Sequence, residues 1–98
     1  MGELRFEWDP RKAAANRRKH GVSFTEAESV FADEHALLLD DPEHSEAEDR
    51  FLLLGLSAAL RILVVVHCYR AGDAAIRLIS ARRADPEERR QYDERWSR

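Results

Sequence analysis

The sequence predicts an α+β fold: two N-terminal helices, a mainly antiparallel sheet and a C-terminal helix. Three observations carry this expectation. Asp9-Pro10 and Asp85-Pro86 are paired helix starts, Ser23-Phe24-Thr25-Glu26 is a capping box, and after Asp33 the hydrophobic period changes from helical to alternating. With 98 residues the chain has room for one domain, spanning 1–98. A chain of this size buries roughly 60–68% of its unfolded surface, enough to fold without covalent staples.

Phe6, Trp8 and their neighbours alternate as a short first strand. Asp9 then offers an oxygen to the free amides of a first helical turn, and Pro10 has the helical φ already set. Ala13, Ala14 and Ala15 favour helix, and His20-Gly21 ends it, glycine accepting the left-handed position. The capping box opens a second helix at once, with Phe24, Ala27, Val30 and Phe31 on one stripe. Strands are expected at Ala36 to Leu39, Arg50 to Leu56, Arg61 to Tyr69 and Ala75 to Arg82, with Arg70-Ala71-Gly72-Asp73 as a tight hairpin link. Asp85-Pro86-Glu87-Glu88 starts a last helix towards Trp96, its acids facing the positive end of the helix dipole. The expected order is β-α-α-β-β-β-β-α, with helices on one face of the sheet.

Composition narrows the function. The single cysteine, Cys68, forms no internal disulfide and rules out a zinc site built on cysteine pairs; within its apolar run it reads as a small core residue. The longest apolar run, Ile62 to Val66, is far too short to span a bilayer, and the N-terminus carries no apolar signal segment, so a cytosolic protein with no membrane role is expected. No glycine-rich phosphate loop, nucleophile elbow or zinc motif is present, and no cofactor is expected. His35, Asp40, Asp41 and His44 are metal-ligand types at a spacing that fits no familiar site. The net charge is −3, but it is unevenly placed. Arg11 to Lys19 holds five cations and no acid, and Asp40 to Asp49 holds six carboxylates and no Lys or Arg. One pole suits phosphates and the other a basic partner; as plain chemistry, both are equally solvated surface.

Alternation sorts the strand side chains. Leu63, Val65, His67 and Tyr69 share one face of their strand, and Ala75, Arg77, Ile79 and Ala81 share one face of the last. The cleaner apolar faces are assigned to the core, leaving His67, Tyr69 and Arg77 on a more open face, either as a phosphate site or as solvated outer residues. Trp8, Trp96 and Tyr92 read as packing residues.

Several stretches together resemble the BrnT family of toxins. These are Phe6-Glu7-Trp8-Asp9-Pro10, Asn16 through Lys19-His20-Gly21-Val22-Ser23-Phe24, Glu26-Ala27, Val30-Phe31, Asp49-Arg50 and Gly55-Leu56-Ser57. Ile62 to Val66, Ile76 through Ala84, Glu88-Arg89 and Tyr92 complete the pattern. The likeness spans essentially the whole chain, and the order of the pieces makes it specific. It implies a RelE-like fold and a ribonuclease that blocks translation. It also implies a BrnA-type antitoxin with a ribbon-helix-helix part, in a complex with two copies of each chain that reaches DNA only through the antitoxin. The alternative is a catalytically weak binding module that serves chiefly as antitoxin partner and co-repressor of its own promoter.

Metal-free RNA cleavage uses the 2′-hydroxyl as nucleophile, so the protein has to orient the phosphate, move protons and stabilise extra negative charge. Arginine suits that last task because its planar fork spans two phosphate oxygens. Lys19-His20, Arg50, Arg77 and Arg82 stand in the stretches that carry the resemblance, which implies Arg50, Arg77 and Arg82 as the clamp, His20 as the acid–base group, and Lys19, His67 and Arg83 as substrate contacts, with no metal. His67 stands as the other acid–base candidate, and arginines in structural ion pairs would look the same in sequence. Reversing several of the carboxylates Asp40, Asp41, Glu43, Glu46, Glu48 and Asp49 to Lys is expected to slow antitoxin association and flatten its salt dependence. Stopped-flow mixing at two salt concentrations measures both; an unchanged rate and slope would make this stretch ordinary solvated surface.

Overall fold

A computed structural model describes residues 4–42, 49–70 and 75–96 of the chain. The first strand, β1 (Arg5–Glu7), leads into helix α1 (Pro10–His20) and then α2 (Phe24–Ser29), which runs on as a 3₁₀ turn over Val30–Ala32. Strands β2 (Leu37–Asp40), β3 (Phe51–Leu56), β4 (Ile62–Arg70) and β5 (Ala75–Arg83) follow, and helix α3 (Pro86–Trp96) ends the fold. The sheet order is β1-β5-β4-β3-β2, antiparallel except for the parallel pair β1–β5. No helix among the described residues is long and apolar enough to cross a membrane.

The caps behave as their chemistry requires. Asp9 Oδ1 accepts from the Arg11 amide at 2.9 Å, and Gly21 closes α1 at φ 69°, its N–H donating to Arg17 O at 2.9 Å. At α3 the box is complete: the Glu88 amide donates to Asp85 Oδ1, and the Asp85 amide to Glu88 Oε1, both at 2.8 Å. At α2 only half of it forms. Ser23 Oγ accepts from the Glu26 amide at 3.0 Å, but the Glu26 carboxylate turns to Arg61 and Ser57 instead.

The helices do not share one face, contrary to the expectation. One core joins Val22, Phe24, Ala27 and Val30 to Leu63, Val65, Ile76, Leu78 and Ala81. A second gathers Leu54, Val64, Ala84 and Tyr92 on the opposite face, under α3. The cause lies in the strands: Leu52 to Leu54 and Ile62 to Val66 are apolar at every position, so β3 and β4 need cover on both sides. Gly55 permits the closest approach on the first face, since a Cβ there would meet Ala36 Cβ and Val30 Cγ1 at 2.9 Å.

A β-bulge changes the faces of β5. Val66 opposes Ser80 but His67 opposes Leu78, which leaves Ile79 as the extra residue. Beyond it the alternation is inverted, so Ile76, Leu78 and Ala81 all serve the α1–α2 core. His67 is therefore not on an open face with Arg77. It is fully buried, and Arg77 pairs with Cys68 on the other side of the sheet. Cys68 itself is buried, as expected.

Asn16 is a buried polar side chain of α1, and it completes the sheet. β1 ends at the Glu7↔Arg77 pair, so the outer edge of β5 has no strand partner beyond it. There Asn16 Oδ1 accepts from the Ala81 amide at 3.0 Å and Nδ2 donates to Ala81 O at 2.8 Å and to Val22 O at 3.0 Å. The carboxamide thus substitutes for a strand's peptide group. The hairpin between β3 and β4 is also tightly bonded: Ser57 N–H donates to Arg61 O at 2.8 Å, and Leu60 N–H to Ser57 O at 2.9 Å. Leu60 takes φ 61°, a left-handed conformation that costs a residue with a Cβ roughly 1–2 kcal/mol.

Asn16→Ala strands the Ala81 and Val22 backbone groups in the interior and is expected to cost on the order of 3 kcal/mol, at 1–3 kcal/mol per unsatisfied buried group. Urea unfolding measures it, and a loss below about 0.5 kcal/mol would mean that the carboxamide is not holding the edge.

Candidate nucleic-acid interface

Several arginines among the described residues are neutralised by a neighbouring carboxylate, and others are presented to solvent. Arg61, at the base of the β3–β4 hairpin, donates from Nε to Glu26 Oε2 at 3.0 Å, pairs again through Nη2 with Glu26 Oε1, and reaches Gly21 O at 3.1 Å. Arg82 grips Glu88 with both arms, at 2.8 and 3.0 Å. Arg77 pairs with Glu7 at 3.1 Å, and Arg90 with Glu87 and Glu94 on its own helix. By contrast, Lys19, Arg83 and Arg89 are exposed and make no ion pair among the described residues.

The paired groups form a rigid scaffold. The Arg61 hydrogen bond holds the Glu26 carboxyl below its ordinary range, against the opposing effect of burial, and the Ser57 hydroxyl adds a bond to Glu26 Oε2 at 2.6 Å. Arg82 likewise lowers Glu88, and Glu88 raises Arg82. Because Glu88 also caps α3, Arg82 ties the end of β5 to the first turn of that helix. Burial pushes the Asp33 carboxyl up. The Leu56 amide at 2.8 Å, the Tyr92 hydroxyl at 2.6 Å and the His35 amide at 2.9 Å together outweigh it and hold the group low. Tyr92 is raised by its own burial and by that bond to Asp33, and it packs, as the sequence suggested. Trp96 stacks on His35 with ring centroids 3.7 Å apart.

These ties bring distant segments to one end of the molecule. Asn16 fixes α1 against Ala81, and Arg61 fixes the α1 terminus at Gly21. Lys19-His20, the hairpin and the end of β5 therefore lie side by side. Leu63 pairs with Arg83, so Arg83 emerges on the α1–α2 face beside Glu26, whose pKa its charge also lowers. Leu60, Arg61, Ile62, Arg83, Ala84 and Arg89 line a groove of about 270 Å³ there.

The expected site residues fall into two groups. Lys19, His20, Arg82 and Arg83 belong to this cationic end. Arg50, His67 and Arg77 lie towards the far end of the strands, where Arg50 precedes the Phe51↔His67 pair and Arg77 opposes Cys68. At about 3.3 Å per residue, Arg77 and Arg83 are some 15–20 Å apart along β5. His67 is enclosed by Phe31, Phe51 and Tyr69, with Nδ1 3.2 Å from Val65 O and Nε2 3.4 Å from Tyr69 Oη. Sequence reasoning missed Leu60, Arg61 and Arg89. Arg61 and Arg89 were visible as cations beside a strand start and a helix start, but nothing local showed which would be neutralised. Among the described residues no three His, Cys, Asp or Glu side chains come together as a metal site would need; His44, Glu43, Glu46 and Glu48 lie outside the described residues, as do Ala71, Gly72 and Asp73 of the expected hairpin link. Asp41, expected in the acidic field, is buried.

A model of the family described as ribonuclease toxin, BrnT, of type II toxin–antitoxin system matches residues 8–88. Among solved structures, the chain is similar to the ribonuclease toxin BrnT of Brucella abortus, with 26% sequence identity and a TM-score of 0.64, over 85% of this chain and 99% of that one. No curated protein sequence matches.

Burial lowers the His67 pKa from its ordinary 6.5, against a smaller opposing effect of the Val65 carbonyl. The unfolded chain then binds the proton more readily, so stability is complete above about pH 6.5 and falls as pH drops from there to the folded pKa. His67→Phe should remove this part of the pH dependence and leave the steeper loss in the acid range, where Glu26, Glu88 and Asp33 titrate. Urea midpoints between pH 7.5 and 5 test it; the same slope in both proteins would contradict a buried neutral imidazole.

Proposed function

The chain belongs to the BrnT family of ribonuclease toxins of type II toxin–antitoxin systems, and from that premise we propose that it blocks translation by cutting RNA without a metal ion at its cationic end. The observation that carries this reading is a groove lined by Arg83 and Arg89, both exposed and outside the ion pairs of the described residues, at the end of β5 that Asn16 and Arg61 tie to α1, whose last turn holds Lys19 and His20. Glu26 and Glu88 at this end are each engaged by an arginine, so Arg83 and Arg89 are the charges that line the groove, and a phosphodiester brings them a counter-charge.

In the proposed reaction the RNA 2′-oxygen attacks the adjacent phosphorus as its proton leaves. The O2′–P bond forms, the P–O5′ bond breaks, and O5′ takes up a proton. The products are a 2′,3′-cyclic phosphate and a 5′-hydroxyl. His20 serves as the acid–base group, and Lys19 and Arg83 hold the non-bridging oxygens as charge builds. Arg82 acts through Glu88 as a positioning residue for the β5–α3 corner. Arg50 and Arg77 extend the contact along the RNA backbone, and His67 serves the core. A BrnA-type antitoxin with a ribbon-helix-helix part, two copies with two of the toxin, covers this charge in the resting complex. DNA is reached only through that antitoxin.

Purified toxin free of antitoxin, incubated with RNA in excess chelator, should cleave and leave cyclic or 3′-phosphate ends. Magnesium dependence or 5′-phosphate ends would overturn the mechanism, and no cleavage at all would favour a partner-binding role. Arg83→Ala and His20→Ala should lower kcat by about 10²–10³ with little change in unfolding. Arg77→Ala should act mainly on KM, and Arg82→Ala should also lower stability by releasing Glu88. Equal loss of kcat in Arg77→Ala would move the reacting centre to the far end of the strands.

A further inference from the structure

We propose that Leu60 is the base-contacting residue of this site and forms, with Arg83 and Arg89, a subsite for one unstacked nucleotide of single-stranded RNA. The inference rests on the reading that this end receives RNA and adds which residue meets the base. Leu60 holds φ 61°, at a hairpin position where glycine or asparagine is the ordinary choice. The residue is 80% exposed, so the backbone strain is not offset by burial within this chain. A strained residue kept at a surface is a pointer to function when its surroundings over-determine it.

They do so here. The Ser57 hydroxyl accepts from the amides of Ala59 at 3.2 Å and Arg61 at 3.4 Å, and donates to Glu26. Ser29 Oγ accepts from the Ala58 amide at 2.8 Å. The turn is bonded to α2 on one side and to its own strands on the other, so the backbone that carries Leu60 is held in place. Around it the groove combines the aliphatic groups of Leu60, Ile62 and Ala84 with the guanidinium-bearing Arg83 and Arg89, while Arg61 is engaged by Glu26. A nucleotide has the matching halves: an apolar base face and a phosphate on either side. Within a duplex those faces are stacked and hidden, so only an unpaired base meets Leu60.

The test uses a fluorescein-labelled single-stranded RNA oligomer with 2′-O-methyl groups, which blocks the nucleophile and separates binding from cleavage. Leu60→Gly accepts the left-handed backbone, so it should unfold at a temperature equal to or above wild type. It should bind the oligomer about tenfold more weakly, the loss expected for one good apolar contact. Leu60→Asn should behave alike, and Leu60→Met should retain binding. Cleavage of unmodified single-stranded RNA should show a raised KM in Leu60→Gly, with kcat little changed. If wild type cleaves and Leu60→Gly binds and cleaves identically, or if duplex RNA binds as tightly as single strand, the subsite is overturned and the ribonuclease reading stands. If wild type binds the oligomer through Leu60 but never cleaves, the subsite stands and the ribonuclease reading falls.

Discussion

The rest of the structure depends on one side chain bonding like a strand. Where β1 stops, β5 has a bare edge whose amide and carbonyl at Ala81 would otherwise be unsatisfied, and the Asn16 carboxamide supplies both partners. An amide is the only neutral side-chain group that offers a donor and an acceptor in the geometry of a peptide. Because Asn16 sits in the middle of α1, this clasp sets the depth and rotation of the helix on the sheet. Its third bond, to Val22 O, fixes the path after Gly21. The position of Lys19 and His20 relative to Arg82 and Arg83 follows from that, although the bonded residues are 65 positions apart in the sequence.

A second constraint is the allocation of carboxylates. Glu26, Glu88 and Glu7 each take one arginine out of the surface field, and two of those pairs are bidentate. The Glu26–Arg61–Ser57 cluster joins α2 to the β3–β4 hairpin, and the Arg82–Glu88 pair joins β5 to α3. Pairing of this kind is a weak source of stability at a partly exposed site. Its effect is positional: it builds the corner from which Arg83, Arg89 and Lys19 project with their charge intact. A protein with a formal charge of −3 can in this way present a cationic end.

Asp33 plays the corresponding part on the other side. It gathers the amides of His35 and Leu56 and the Tyr92 hydroxyl, and so fastens α3 to the loop before β2 and to the end of β3. Together with the apolar groups of Leu54, Val64 and Ala84, this makes the second core, and the sheet is covered on both faces.

Local chemistry determined the elements. Caps at Asp9, Ser23 and Asp85 act over a few residues, and the change from helical to alternating period is a property of each segment alone, so the order β-α-α-β-β-β-β-α and the α+β class were legible. The five-residue apolar run Ile62 to Val66 also held the news that β4 is covered twice, although alternation was the wrong lens for it. The bulge at Ile79 was decided only by tertiary structure. One extra residue inverts every later side chain in β5, and nothing in the composition of Ile76 to Arg83 marks where it falls. Hence Arg77 and His67, neighbours by simple alternation, stand on opposite faces, and His67 is enclosed by Phe31 and Phe51 from elsewhere in the chain. The division of the arginines is likewise tertiary, because an ion pair needs two groups within about 4 Å and their sequence separation ranges here from 3 to 70 residues. Sequence states how many cations there are; only the fold states which of them are left for a phosphate.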